Sequence, residues 1–389
     1  MENFEFHCFT KYIFGKGTEN QVGEEVKRFG SSVLLVYGGG SIKEFGLYDK
    51  VIKSLKDQGI KVTELSGVKP NPTYDSVYKG IELARDNNVD TILAVGGGSV
   101  IDASKAIAVG IPYEGDVVDF AEQKATPKES VPIGVILTIP AAGSESSQYA
   151  VVSYKKDGYL WKRDVVWENF HLIRPQFAIL NPELTFTLPP FQTACGIVDI
   201  MGHTMERFFT SVKNVELTDR MSIGLLKTVI NNGRIVMDEP ENYDGRAEIM
   251  WAGALAQNDL LGTGRANDFS SHMIEHEISG IYDIAHGAGL AIIYPAWMKY
   301  VYKYNRERFL QYATEVWNVD HDFYDPERTI LEGIRRQENF YKELGLATRL
   351  SGLNIPEDRF EEMAEKAVKA GSIKKLTRED IINILNLAK

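Results

Sequence analysis

One pattern limits the fold of this chain more than any other. Short apolar runs, each followed by turn residues and a helical stretch, recur through the first half and then stop. Ser32–Tyr37, Ile60–Leu65, Asp90–Val95, Ile133–Ile139 and Phe177–Leu180 read as strands, several so continuously apolar that both faces must be covered. Helical patterns lie between them. One runs from Ser41 to Gln58, and another opens at Asn71-Pro72-Thr73 and sets Tyr74, Val77, Tyr78, Ile81 and Ala84 on one face. Such alternation predicts a parallel sheet with helices on both faces. Asn181-Pro182 and Pro189-Pro190 then punctuate a connector. Beyond it only helical patterns follow: Phe191–Ser211, Glu216–Asn232, Arg246–Leu261, Phe269–Ser279, Ile284–Tyr304 and more to Leu387. The expected organisation is an α/β unit over 1–184 and an all-helical unit over 185–389.

Composition removes several classes of function. At 389 residues the chain suits two domains, each large enough to build its core without disulfides. The formal charge of −11 gives no general attraction to nucleic acid or to anionic membranes, so an anionic ligand must be held by a local site. Two cysteines, Cys8 and Cys195, exclude a Cys-only metal site and fit a reducing, cytoplasmic setting. The start MENFEFHCFTKYIFG lacks a basic segment followed by an apolar one, so no signal peptide is expected. The apolar runs are too short or interrupted to span a bilayer.

Two strands end in the same device. Val36-Tyr37-Gly38-Gly39-Gly40-Ser41 and Ala94-Val95-Gly96-Gly97-Gly98-Ser99 both run strand, triple glycine, serine, helix. Glycines let a ligand approach the main chain, and the following helix presents free N–H groups that favour a phosphate. Gly96, Gly97, Gly98 and Ser99 thus form a candidate pyrophosphate loop, with Ser99 as helix cap and Asp102 as its reciprocal partner. Neither loop is G-x-G-x-x-G or a P-loop. The first loop carries no acid to hold an adenosine ribose. Gly38, Gly39, Ser41 and Lys43 leave space and donors for a 2′-phosphate, which favours NADP over NAD unless Lys43 is simply solvated. A third loop, Thr138 to Ser147, offers hydroxyls that suit a ribose or nicotinamide amide, or helix caps.

In the helical half, Asp199 and His203 lie four apart, as do His272 and His276, and His286 follows at the start of the next helix. Four-residue spacing stacks side chains on one helix face. Gly280 is expected to break the helix carrying His272, and Asp283 to cap the next. Nitrogen and carboxylate donors on facing helices suit Zn²⁺ or Fe²⁺, without choosing between them. His272-Met273-Ile274-Glu275-His276 is not H-E-x-x-H, because its acid stands elsewhere.

With those residues in place, the chain resembles the iron-containing (group III) alcohol dehydrogenase family, most closely its butanol dehydrogenase and broad aldehyde reductase branch. Gly196–Glu206 and His272–Gly287 match the family's two ligand motifs, and Gly96–Ser99 with Asp102 and Lys105 its phosphate loop. The resemblance covers essentially the whole chain. It implies a dehydroquinate synthase-like architecture, with one divalent metal on Asp199, His203, His272 and His286 and with His276 beside it near the substrate. It further implies NADP (alternatively NAD) held by Gly38, Gly39, Ser41, Lys43, Asn71, Gly96, Gly97, Gly98, Ser99, Thr138, Ser147 and Lys162, in a cleft between the units. The activity implied is interconversion of primary alcohols and aldehydes by a homodimer. The rivals are an NAD-dependent alcohol, polyol or glycerol phosphate dehydrogenase, a dehydroquinate-synthase-like lyase, and a regulator without turnover. Lack of a Lys/Arg cluster at the metal motifs opposes a phosphorylated substrate.

Overall fold

Strands that are apolar at every position need cover on both sides, and the chain provides it. The computed structural model describes residues 1–367 and 369–389. These fall into two units, His7–Thr187, and Leu188–Lys389 joined by Met1–Phe6. The first unit is built on β1 (Lys11–Phe14), β2 (Ser32–Tyr37), β3 (Lys61–Leu65), β4 (Thr91–Gly96), β5 (Ile133–Leu137) and β8 (Phe177–Leu180). They form a parallel sheet in the order β1-β8-β5-β4-β2-β3. Every residue of β2, β4 and β5 is buried. Helices α1 (Leu47–Asp57), α2 (Tyr74–Asp86) and α3 (Gly98–Gly110) make the crossovers after β2, β3 and β4. Leu47, Val51 and Leu55 of α1 pack with Val33, Leu35, Leu93, Val95, Ile136 and Ile179 on one face of the sheet.

The strand order sets where a ligand fits. The chain leaves β2 toward β3 but leaves β4 in the opposite direction toward β5. Neighbouring strands with diverging connections open a crevice at their carboxyl ends. Tyr37 pairs with Val95 and Gly96 with Leu137, so the loops after β2, β4 and β5 start side by side.

Three local features depart from expectation. The edge strand β1 and an antiparallel hairpin, β6 (Val151–Lys156) with β7 (Tyr159–Asp164), were not anticipated from the apolar runs. The hairpin's signal was Asp157-Gly158, whose φ values of 52° and 81° suit a tight two-residue turn. The Ser41–Gln58 helix is two helices, Ser41–Glu44 and α1, separated where Gly46 adopts a φ of 75°.

The second unit contains, among others, α4 (Pro190–Phe208), α5 (Glu216–Asp238), α6 (Tyr243–Gln257), α7 (Ser270–Tyr282) and α8 (His286–Val301). Pro190 stands at the first turn of α4, where its missing N–H costs nothing. Helix α8 is buried without interruption from Gly287 to Met298, as an all-round apolar helix should be. Gly280 does not break α7, which runs on to Tyr282. Asp283, with φ of 50°, closes it, and Ala285 rather than Asp283 precedes α8. Packing of α7 against its neighbours outweighs the roughly 1 kcal/mol cost of an interior glycine. Among the described residues, this unit has no strand, and no helix of the chain is long and apolar enough to cross a membrane.

Glu19 ties the α/β unit together: Lys50 of α1 donates to it at 2.8 Å, and Asn181, just past β8, at 2.9 Å. Burial pushes its carboxyl up, but the hydrogen bonds from Lys50 and Asn181 outweigh it and hold the value below the usual range. A carboxyl depressed on folding contributes stability above its unfolded pKa and loses that contribution as pH falls through the folded one. Glu19→Gln should therefore melt about 2–4 °C below the native protein at pH 7, with the gap closing in acid, as followed by circular dichroism.

Candidate active site

Helix periodicity brings Asp199 and His203 to the same face of α4, and α7 and α8 supply the histidines opposite. Asp199 Oδ1 lies 3.2 Å from His203 Nε2 and 3.8 Å from His286 Nε2. The His203 and His272 rings are 4.5 Å apart between centroids, and the His272 and His286 rings 5.0 Å. One donor atom each from Asp199, His272 and His286 falls within a 4.8 Å sphere of mutual approach, and a second such group joins His203, Glu206 and His272. His276, one turn beyond His272, has its ring 6.2 Å from that of His272 and 5.5 Å from that of His286.

The electrostatics prepare donors rather than ion pairs. Burial, reinforced by the charge of His272, lowers His203 to about 4, so its imidazole is neutral at neutral pH. Burial would raise Asp199, but His286 and His203 outweigh it and hold the carboxyl well below the usual range. Asp199 Oδ1 and His272 Nε2 are buried yet make no well-aligned hydrogen bond. Buried polar atoms are nearly always satisfied, so such a pair of orphans marks a site for a cation. A carboxylate and three imidazoles are a donor set that Zn²⁺ or Fe²⁺ accepts. The residues present therefore fit a divalent metal.

Two carboxylates absent from the expected site complete it. Glu206, three residues after His203, meets Nδ1 of His272, and Glu275, three residues after His272, meets Nδ1 of His286. Each is essentially fully buried. Their signal was present in the sequence as an acid one helical turn beyond each of two ligand candidates.

In the α/β unit the structure sorts the expected nucleotide residues. Helix α3 begins at Gly98, with extended Gly97 as its cap and no capping bond from any side chain. Ser99 is thus a first-turn residue, not the cap. Asp102 accepts instead from Ser144 Oγ at 2.6 Å and Val151 N–H at 2.9 Å. A chain turning from β4 directly into α3 leaves Ser99 two residues too late to cap it. Its first-turn N–H groups still point along the helix axis toward a ligand. A Cβ on Gly97 would stand 3.1 Å from Ile139 and one on Gly98 3.5 Å from Ala142, so the third loop packs over this turn. Thr138 N–H donates to Gly96 at 3.0 Å. Lys105 donates to Ser144, to the Ser147 carbonyl and hydroxyl, and to the Tyr149 carbonyl, and so holds the third loop in shape.

Asn71 and Lys162, distant in sequence, meet: Lys162 Nζ donates to Asn71 Oδ1 at 3.0 Å. The unforeseen hairpin makes this contact, since Ser153 of β6 donates its N–H to Pro72. In the first loop, Gly39 is exposed, and a Cβ there would meet nothing within 4 Å. Lys43 lies over the rings of Tyr48, at 4.5 Å, and Tyr37, at 5.2 Å. Both tyrosines donate to Glu64 of β3, at 2.8 and 2.7 Å. An acid absent from the loop itself is thus supplied by the neighbouring strand.

Comparison with known proteins gives consistent matches. The description "Iron-containing alcohol dehydrogenase" matches residues 10–182, and "Fe-containing alcohol dehydrogenase family, C-terminal" matches residues 193–388. A probable NADH-dependent butanol dehydrogenase 2 of Bacillus subtilis is 42% identical over 99% of both chains. The NADPH-dependent aldehyde reductase YqhD of Escherichia coli is 38% identical over 91% of this chain and 90% of that protein. The crystal structure of NADH-dependent butanol dehydrogenase A from Thermotoga maritima superposes with a TM-score of 0.94 at 38% identity, covering 100% of this chain and 99% of that one.

The approach of α8 to α4 is tight enough to test. A Cβ on Gly287 would stand 2.1 Å from the Cys195 carbonyl oxygen. Gly287→Ala must therefore push His286 away from Asp199. Zn²⁺ affinity, read by chelator competition, should fall about tenfold or more.

Proposed function

The chain belongs to the iron-containing alcohol dehydrogenase family, and from that premise we propose that it interconverts small to medium primary alcohols and aldehydes by exchanging hydride with NADP(H). The observation that carries this reading is the convergence of Asp199 and three histidines from α4, α7 and α8, with buried donor atoms left without hydrogen bonds. Asp199, His203, His272 and His286 hold the metal, Fe²⁺ or Zn²⁺, in this reading. A bound divalent cation supplies Lewis acidity toward a carbonyl oxygen, and the nicotinamide supplies the hydride.

The chain's own residues do the rest. Neutral His203 and ionised Asp199 offer lone pairs rather than protons at neutral pH. His276, beside the cluster, passes the proton that the substrate oxygen gains in reduction and loses in oxidation. Gly97, Gly98 and the first-turn amides of α3 take the pyrophosphate. Asn71 and Lys162 act as one hydrogen-bonded unit on the adenosine side, Lys105 keeps Ser147 positioned, and the Gly96 carbonyl anchors Thr138.

NADP is favoured because position 39 carries no side chain and opens to solvent, with Ser41 and Lys43 near. NAD has one observation on its side. Glu64, held by Tyr37 and Tyr48, places a negative charge close to the same loop. The family expectation of a homodimer is retained, and the free cysteines Cys8 and Cys195 support a cytoplasmic location.

The decisive assay follows oxidation of NADPH and of NADH with butanal, with and without a metal chelator. Chelation should abolish turnover and added Fe²⁺ or Zn²⁺ restore it. Turnover that persists without metal would defeat the proposal. His272→Ala should lose bound metal and activity while retaining nucleotide affinity, measured by fluorescence titration. Gly39→Asp should lower the NADPH-to-NADH ratio of kcat/KM about tenfold or more, because a carboxylate repels a 2′-phosphate. An unchanged ratio would mean that the first loop does not face that phosphate.

A further inference from the structure

Glu275 stands between His272 and His276 in the sequence, where it serves neither as the acid of an H-E-x-x-H motif nor, in the set above, as a ligand. Its side chain is wholly buried on α7. One oxygen, Oε2, takes His286 Nδ1 and also accepts from Ser279 Oγ at 3.4 Å. The other, Oε1, points at the first turn of α8, where a Cβ on Gly289 would stand 2.4 Å from it and 2.7 Å from Cγ. Position 289 therefore has to be free of a side chain for Glu275 to reach His286 at all.

A neutral imidazole carries one proton, on Nδ1 or on Nε2, and its other nitrogen is the donor to a metal. A carboxylate on one nitrogen fixes the proton there, since an ionised carboxylate only accepts. Opposite that contact, His286 Nε2 faces Asp199 Oδ1 at 3.8 Å. We propose that Glu275 is a positioning residue that locks His286 in the tautomer with Nδ1 protonated and Nε2 unprotonated, the form a metal ligand requires, and that Gly289 exists to make room for it. Glu206 stands in the same relation to His272, steadied by Ser271 Oγ at 3.0 Å, and leaves the buried Nε2 of that ring without a partner. Supporting carboxylates of this kind are worth about 10–100-fold in metal affinity.

The inference rests on the reading of Asp199, His203, His272 and His286 as ligands, and two readouts separate the two. The first needs no metal. In apo protein labelled with ¹⁵N-histidine at pH 8, long-range ¹H–¹⁵N spectra report the tautomer of each ring, with His286 assigned from the signal lost in His286→Asn. The native ring should be protonated at Nδ1. Glu275→Ala should shift it toward Nε2 protonation, and Glu275→Gln, which keeps an acceptor, should largely preserve it. The second readout is Zn²⁺ affinity by chelator competition, with the visible spectrum of the Co²⁺-loaded protein. Glu275→Ala and Gly289→Ala should bind about 10–100-fold more weakly and alter the Co²⁺ bands, while Glu275→Gln loses less than about tenfold. If Glu275→Ala does not fold, Gly289→Ala against Glu275→Gln gives the same comparison. An unmoved tautomer together with native affinity in Glu275→Ala or Gly289→Ala overturns the proposal. If His272→Ala keeps full Zn²⁺ affinity, it is instead the ligand set that fails.

Discussion

Side chains from three helices can meet at a point only if the backbones behind them come close, and that approach is the constraint on which the candidate centre depends. Helix α8 lies so near α4 that Gly287 has the Cys195 carbonyl where a side chain would begin. Gly289 does the same for the carboxyl of Glu275, and Gly202, one residue before His203, leaves room for the His272 ring and Leu290. Interiors packed at crystal density transmit displacement rather than absorb it. A methyl group at any of these positions would therefore be felt at the donor atoms. The uninterrupted burial of α8 and the aromatic packing of Phe209 with Trp297, Phe309 and Tyr312 hold the scaffold behind them.

The α/β unit solves a different problem with the same residue type. There the glycines after β2 leave open space, and those at the end of β4 let Val100 and Ile139 pack against the turn into α3. Gly39 opens to solvent with nothing near it, whereas Gly97 is roofed by Ile139. In the proposed reading, an acidic chain would hold phosphate through main-chain amides, which carry no net charge to be outweighed. Beside the turn after β4, Asp102 accepts from Ser144 and Val151, and Lys105 donates to Ser144, Ser147 and Tyr149, so both side chains brace the third loop.

Much of this was legible in the sequence because it follows from local periodicity. The strands Ser32–Tyr37 and Phe177–Leu180 are found where their apolar runs lie, and four-residue spacing alone put Asp199 with His203 and His272 with His276. What was missed depends on contacts made across the chain. β1 is four residues long, half-exposed, and a strand only because β8 pairs with it. The hairpin announced itself in Asp157-Gly158 but lacks a continuous apolar run. Gly280 looked like a helix end because propensity is a local quantity, and tertiary packing carries α7 past it. Glu206 and Glu275 sit one turn from the residues already suspected, yet each serves a histidine on another helix, which one-dimensional spacing does not express.

The central claim is that these helices form a metal centre whose donors are the Asp199 carboxylate, His203, and the Nε2 atoms of His272 and His286. Anomalous difference maps, collected on both sides of the iron and zinc absorption edges from crystals of the metal-loaded protein, test it most directly. The account predicts one strong peak about 2.0–2.2 Å from those four side chains, with Nδ1 of His272 and of His286 still on Glu206 and Glu275. A peak elsewhere, or one bound through either Nδ1, would contradict it.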